Sequence, residues 1–544
     1  MNGTKRRAGG ILAACLVSVL LAIGVSVASA DTGKDTLVFT VDSEVQGIDP
    51  QKANSQPSMN VGTHIFEGLI RVHDGKIAPG MADRWTLSKD GRTYTFHIRD
   101  GARWNDGSKL TAKDFEYAFI RLLDPRTAAE YAFAAYYLKN GRDFNLGKIK
   151  DPKQVGVKAP DDRTLVLTLE HPTSYFLGYL NQMCFMPVRR SQAEKFGEKF
   201  ATDADKLAYN GPFLLQEWKH EQKMVLVKNP TYWNAKAIRL NRVEILQVND
   251  TGTALSMFEN GDLDLVDVPS NLYKSYQEKG LAKVYLSGAD DWMKVNVRKN
   301  PQKPWLADKN FRKALAYAVD RGDYVNISTK GLYLPNRRYV LPIIQGVKGA
   351  YGAEYPLAYY PLKADPTKAK DYLKKALGEL KIKDPGSITV EYLIQDQDET
   401  RLMAETLQNQ IERTLGIHVK IKLVTRKQRF EMEHKGDYDL VYHGWAPDYD
   451  DPMTYMEVWE GGSSQNNSGY ANGAYDKLIG AARVEVNPKK RMDMIFAAEK
   501  ILLDDAPMIP LQLRRKAWSA RKELMGLSRP IIGANIDFVY AYKK

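Results

Sequence analysis

Ser387-Ile388-Thr389-Val390-Glu391-Tyr392-Leu393-Ile394 is rich in β-branched and aromatic residues and reads as a strand, and the order of elements after it decides the fold. Glu399 to Leu415 places apolar residues at helical spacing and stops at Gly416. His418 to Val424 is β-like again, Arg426 to His434 is helical, and Asp439 to His443 makes a short strand running into Gly444-Trp445. Strand, helix, strand, helix, strand predicts a parallel α/β layer with right-handed crossovers, whose ligands gather at the carboxyl ends of the strands. Gly444 to Asp451 sits at such an end.

Working outward, residues 35–42 alternate as a strand, and Thr93 to Ile98 forms another after the Asp90-Gly91 turn. Thr111-Ala112-Lys113-Asp114 resembles a capping box with Asp in place of Glu, and Phe115, Phe119 and Leu122 follow at helical spacing. No internal repeat, low-complexity tract or Pro-rich linker breaks the chain. Its 544 residues, 44% hydrophobic and 26% charged, have a globular balance and room for roughly three to four domains.

The start of the chain reads as an address. Lys5, Arg6 and Arg7 precede an apolar run from Ile11 to Val27, and Ala28-Ser29-Ala30 offers a signal peptidase its small residues, with cleavage before Asp31. Two rivals remain: an uncleaved membrane anchor, and a lipid anchor on Cys15, since Leu12-Ala13-Ala14-Cys15 resembles a lipobox. With Cys15 in the leader, Cys184 is the single remaining thiol, which excludes an internal disulfide, zinc ribbons and dithiol redox sites. Cleavage removes three positive charges and lowers the formal net charge from +12 to +9. Those charges are interleaved with acidic residues, no nucleic-acid motif is present, and nucleic acid is not an expected partner.

Motifs for catalysis are missing. There is no Gly-x-Ser-x-Gly elbow, no His-Glu-x-x-His, no phosphate loop and no dinucleotide fingerprint, and the eight histidines form no short-range ligand spacing. No cofactor or metal is expected. Asp396, Asp398 and Glu399 open a predicted helix, where its dipole favours carboxylates. Asp448-Tyr449-Asp450-Asp451-Pro452 lacks the Gly and distal Glu of a calcium loop and, taken alone, reads as a solvated turn. Tyr131, Tyr136 and Tyr137, with Trp445, Tyr449, Tyr455 and Trp459, suit either an aromatic-walled cleft or a core with bonded polar tips.

Pro79-Gly80-Met81-Ala82-Asp83-Arg84-Trp85, Asp90-Gly91-Arg92-Thr93-Tyr94-Thr95-Phe96 and Arg99 through Gly107 resemble the N-terminal signature of the extracytoplasmic solute-binding proteins that serve peptide and nickel ABC importers. Asn210-Gly211-Pro212-Phe213, Asn229-Pro230-Thr231-Tyr232-Trp233 and Phe311 through Arg321 extend the likeness. Ser43 through Pro50, Glu194 through Lys199 and Gly444-Trp445-x-x-Asp448-Tyr449 bring it nearest to the Gram-negative oligopeptide-binding proteins. The resemblance implies an α/β, two-lobed periplasmic-binding-protein fold of class II (cluster C) type, with mixed sheets flanked by helices and an extra inserted domain. Its expected division is a signal peptide at 1–30, lobe 1 from 31–66, 192–293 and 513–544, an inserted domain at 67–191, and lobe 2 at 294–512.

It further implies a monomeric periplasmic receptor that captures oligopeptides and hands them to a membrane ABC permease without altering them. Asp448 takes the place of the Asp that pairs with the peptide α-ammonium, and Trp445 and Tyr131 take cleft positions, with Gly444, Ala446 and Tyr449 beside them. Departures stand at Tyr442 and Glu433, where the relatives carry arginines for the ligand carboxylate, at Asn54 in place of an acidic cleft residue, and at Thr400 in place of a cleft His. A nonpeptide ligand on the same fold (nickel chelate, haem or oligosaccharide) and a secreted hydrolase are the rival functions.

Overall fold

The computed structural model describes residues 33–73, 75–463 and 465–544. The expected leader, its cleavage site and Cys15 lie outside the described residues. The chain opens with β1 (Thr36–Val41), then a helix over Gln56–Ile65. The following region carries the hairpin β2 (Ile70–His73) and β3 (Lys76–Pro79), then β4 (Ala82–Leu87), β5 (Thr93–Ile98), β6 (Val157–Lys158) and β7 (Thr164–Thr168) in an antiparallel sheet of order β4-β5-β7-β6. The expected strand at Thr93 to Ile98 is β5. The expected helix is Ala112–Leu123, whose capping box closes when the Thr111 N–H donates to Asp114 Oδ2 at 2.8 Å.

Strands β8 (Phe213–Lys219), β9 (Lys223–Lys228), β10 (Arg242–Gln247), β11 (Leu265–Val268), β12 (Lys283–Val295), β13 (Leu334–Pro335), β14 (Thr389–Gln395), β15 (His418–Val424), β16 (Leu440–Trp445) and β17 (Met508–Ala520) join β1 in one mixed sheet. Its order is β15-β14-β16-β12-β17-β11-β1-β10-β9-β8, with β13 on β17. The two-lobed α/β fold expected from the resemblance is the one observed. β14 pairs in parallel with both β15 and β16, and the predicted crossover helices are Asp398–Leu415 and Arg426–Lys435. β14 buries Val390, Tyr392, Leu393 and Ile394, a nearly continuous apolar run as expected of a strand covered on both faces. The first crossover buries Met403, Ala404, Leu407, Ile411 and Leu415 and ends at Gly416 with φ +70°, where a side chain would be strained.

β12 and β17 connect the two halves. They pair from Lys283↔Trp518 to Lys294↔Met508, with register shifts between Leu286 and Asp290 and between Asp291 and Trp292. On its other edge β12 runs antiparallel to β16, setting Asp290 opposite Trp445 and Asp291 opposite Gly444. That approach needs a glycine: a Cβ on residue 444 would lie 2.8 Å from the Asp290 carbonyl oxygen and collide with the Asp291 carboxylate. Among the described residues no helix is long and apolar enough to cross a membrane.

Candidate functional site

β16 ends at Trp445, and the chain turns through Ala446 and Pro447 into a cavity of about 1180 Å³. Residues 446–451 form one wall, the helix Gln56–Ile65 with residues from 68–94, Tyr131 and 174–186 a second, and residues 528–537 a third. Two bonds fix the backbone of Asp448: its N–H donates to Thr454 Oγ1 at 3.0 Å, and its carbonyl accepts from Gln182 Nε2. Its carboxylate has no hydrogen-bond or ion-pair partner among the described residues. Burial alone pushes that carboxyl up to about 6. A half-buried carboxylate without a counter-charge, facing a cavity, is costly in the ligand-free protein and marks a candidate binding group.

The rest of the acidic run is not the solvated turn read from sequence. Arg491, on the helix Pro488–Asp505, meets Asp451 through two bonds of 2.7 Å with both side chains buried, and Asp450 Oδ1 accepts from the Gln345 N–H at 2.8 Å. Burial raises the Asp450 carboxyl, against the pull of that N–H. The Arg491 guanidinium lies 5.0 Å from the Tyr175 ring, which stacks on Tyr449 at 4.6 Å and 6°. Residues 175–182 therefore touch the segment around Asp448 through both Tyr175 and Gln182. Tyr449 donates its hydroxyl to Glu457 at 2.8 Å, and burial pushes the Glu457 carboxyl up to about 7.

Of the residues expected at the site, Asp448, Ala446, Tyr449 and Tyr131 line the cavity together. Trp445, Gly444, Tyr442 and Asn54 do not. Trp445 lies opposite Asp290, with its indole Nε1 buried and without a hydrogen bond in this structure. Tyr442 is buried between strands, where its hydroxyl sits 3.4 Å from Gln512 Nε2 and 3.5 Å from an Arg514 nitrogen. Asn54 is exposed and donates to Glu130 Oε2 at 2.5 Å. Thr400 closes the turn after β14 by donating to the Gln395 carbonyl at 2.6 Å. Of the other acidic group, Asp396 pairs with Arg401 and Asp398 opens the helix, while Glu399 is drawn inward toward Tyr333, so the dipole reading covers only part of it.

Sequence reasoning missed Gln182, Arg491, residues 528–537 and the methionines Met59, Met183 and Met186, all of which line the cavity. No local signal could have found them. Gln182 and Asp448 are 266 positions apart, and they meet only through the fold.

The charge of the lining is asymmetric. Its three arginines are each paired: Arg71 with Glu67 at 2.7 Å, Arg491 with Asp451, and Arg529 with Asp267 at 3.0 Å. Burial works against the Asp537 charge, yet His64 and His73 beside it hold its carboxyl well below the usual range. Among the described residues no group of three or more His, Cys, Asp and Glu side chains is placed to hold a metal. What remains is a largely apolar cavity in which, among the described residues, the Asp448 carboxylate has no partner and Asp450 has only a backbone N–H, an arrangement that can capture a cationic group.

Residues 76–467 match the family described as bacterial extracellular solute-binding proteins, family 5. The dipeptide-binding protein DppE of Bacillus subtilis (strain 168) is 33% identical over 514 residues, covering 94% of this chain and 92% of the relative. The periplasmic oligopeptide-binding protein OppA of Escherichia coli (strain K12) is 30% identical over 521 residues, covering 94% and 93%. The structure of Listeria monocytogenes OppA bound to peptide superposes with a TM-score of 0.76 at 30% identity, covering 94% of this chain and all of that one.

Proposed function

The chain belongs to the bacterial extracellular solute-binding proteins of family 5, and on that premise we propose that it is a peptide receptor in which Asp448 holds the ligand's α-ammonium group. It serves an ABC importer, like the Bacillus anthracis structure described as the substrate-binding domain of an oligopeptide ABC transporter, and binds peptides, as its relatives named for dipeptides and oligopeptides do. The observation that carries the Asp448 assignment is the partnerless carboxylate in the apolar cavity: a peptide ammonium brings the missing charge and up to three donors to it. Main-chain groups are common to all peptides, so pairing to them adds affinity without narrowing sequence.

The receptor works as an exported monomer that releases its ligand unchanged to a membrane permease. Its leader is cut before Asp31, and its lobes, divided as the sequence reading divides them, close about β12 and β17. Tyr175 on Tyr449 and Gln182 on the Asp448 carbonyl are the contacts that hold the closed form.

Calorimetry on four combinations tests the assignment: wild type and Asp448→Asn, each with a free and an N-acetylated peptide. Substitution and acetylation are each expected to weaken binding sharply, and together to cost much less than the sum. Additive effects would remove Asp448 from the ammonium. Mass spectrometry of a peptide mixture incubated with the protein should return every mass unchanged, and cleavage products would make it a hydrolase instead.

A further inference from the structure

We propose that the pocket walled by Met59, Met183, Cys184 and Met186 receives the side chain of the ligand's first residue and selects large apolar ones. This rests on the placement of the α-ammonium at Asp448. The first side chain leaves the carbon that carries that ammonium, so it has to enter whatever space adjoins Asp448. The adjoining space is fixed by the structure. Gln182 donates to the Asp448 carbonyl, and the 3₁₀ turn Met183–Phe185 follows it directly. The Asp448 charge reaches both the Cys184 thiol and the Tyr131 phenol, raising each beyond what burial does.

The wall has a rigid frame and an adaptable face. Gln51 Nε2 donates to the carbonyls of Cys184 and Met186 at 3.1 and 3.2 Å, while Gln51 Oε1 accepts from Arg121 at 2.6 Å, and Arg121 is itself paired with Asp49 at 2.6 Å. Met183 lies over Gly62, where a larger residue would drive it out of place. Gly68 gives Met186 the same room, since a Cβ there would come within 3.1 Å of its sulfur. The face itself is thioether and thiol, chemistry that moulds to aliphatic and aromatic side chains of different shapes. It carries no charge, and the cavity arginines are already spoken for by Glu67, Asp451 and Asp267. An acidic first side chain meets no cation on this face and lies beside Asp448, so it is disfavoured by desolvation and repulsion together.

Calorimetry on the unaltered protein with the tripeptides Leu-Ala-Ala, Ala-Ala-Ala and Glu-Ala-Ala, and with N-acetyl-Leu-Ala-Ala, tests the proposal. Leu at the first position is expected to bind about tenfold or more tighter than Ala, and Glu more weakly than Ala. Met59→Ala should narrow the ratio of Leu to Ala while leaving the acetylation loss in place. If the three free peptides bind within twofold of one another and acetylation still weakens binding, the pocket is wrong and the ammonium assignment stands. If acetylation changes nothing, or none of the peptides binds, both are overturned.

Discussion

Glu433, fully buried, and Asp448, half-buried on the cavity wall, are both carboxylates of the α/β layer and the segment that leaves it, and they differ in how completely the protein answers their charge. Glu433 is met by Lys294 at 2.6 Å and Arg429 at 2.8 Å, with the His443 ring 2.6 Å away and the four side chains buried or nearly so. Burial would raise its carboxyl, but those partners hold it well below the ordinary range. Asp448 has none, and burial alone moves it the other way, to about 6. The sequence comparison placed Glu433 where relatives hold a ligand carboxylate. The structure places it instead in a buried cluster where Lys294 and Arg429 answer its charge. A buried charge that is complete within the chain belongs to the fold, and one left incomplete on a cavity wall is available to a ligand.

The largest effect expected from this contrast is on stability. Glu433→Gln leaves Lys294 and Arg429 buried beside a neutral amide, a loss of about 3–5 kcal/mol. Urea denaturation measures it, and the folded fraction should keep its peptide affinity. A variant of unchanged stability that no longer binds peptide would reverse the roles of the two carboxylates.

Asp448→Asn should act in the opposite sense on the two quantities. Peptide affinity falls by about 2–5 kcal/mol because the ligand's ammonium loses its charged partner. The ligand-free protein becomes more stable at pH 7.5, by about 1–3 kcal/mol, because the variant no longer desolvates a charge. The sign comes from the raised carboxyl. Between its unfolded value of 3.8 and about 6 the folded protein binds the extra proton, so Asp448 erodes stability as pH rises through that window. The stabilisation by Asn should therefore shrink as pH falls through 6 and vanish below about 4. Paired denaturation curves at pH 4 and 7.5 check it, and an equal difference at both would show that Asp448 titrates normally.

A smaller effect is on the pH profile of binding. The ammonium needs the Asp448 carboxylate charged, so affinity should fall by about tenfold between pH 7.5 and 5 as the group takes up a proton. Glu457 also sits near 7, bonded to Tyr449, and is a nearby group whose titration overlaps. Asp448→Asn retains Glu457. A profile that flattens in that variant belongs to Asp448, and one that persists belongs to Glu457.

The contrast also explains how far the sequence could be read. The α/β layer was legible because β14, β15 and β16 and their two crossover helices each carry their own periodicity, and parallel pairing comes from that order. Asp448 was legible through a motif continuous in the chain. Its loneliness was not, because Asp448 and Asp451 sit in one short acidic run and only the later helix carrying Arg491 separates them, neutralising one and not the other. The same holds for Glu433: its partners come from β12, its own helix and the end of β16, and no spacing along the chain relates Lys294 to it. Asn54 and Tyr442 were placed at the site by position, yet a surface bond to Glu130 and an interstrand burial keep both out of the lining.

The smallest effect concerns the other end of the ligand. A peptide carboxylate gains most from a cation that has no competing partner, and Arg71, Arg491 and Arg529, the arginines of the lining, each already hold a carboxylate at 2.7–3.0 Å. Recruiting one of them means breaking a pair that the fold has made, and for Arg71 and Arg491 that leaves a buried Glu67 or Asp451 uncompensated. The exception is Arg529, whose partner Asp267 is 55% exposed and can be released to water at little cost. Amidation of the ligand's C-terminus is therefore expected to cost less than about 1 kcal/mol, well below the cost of N-acetylation. Calorimetry with the amidated and free-acid forms of one peptide gives the number. A penalty of several kcal/mol would mean that a cation does change partners on binding, and its disappearance in Arg529→Gln would name Arg529 as that cation.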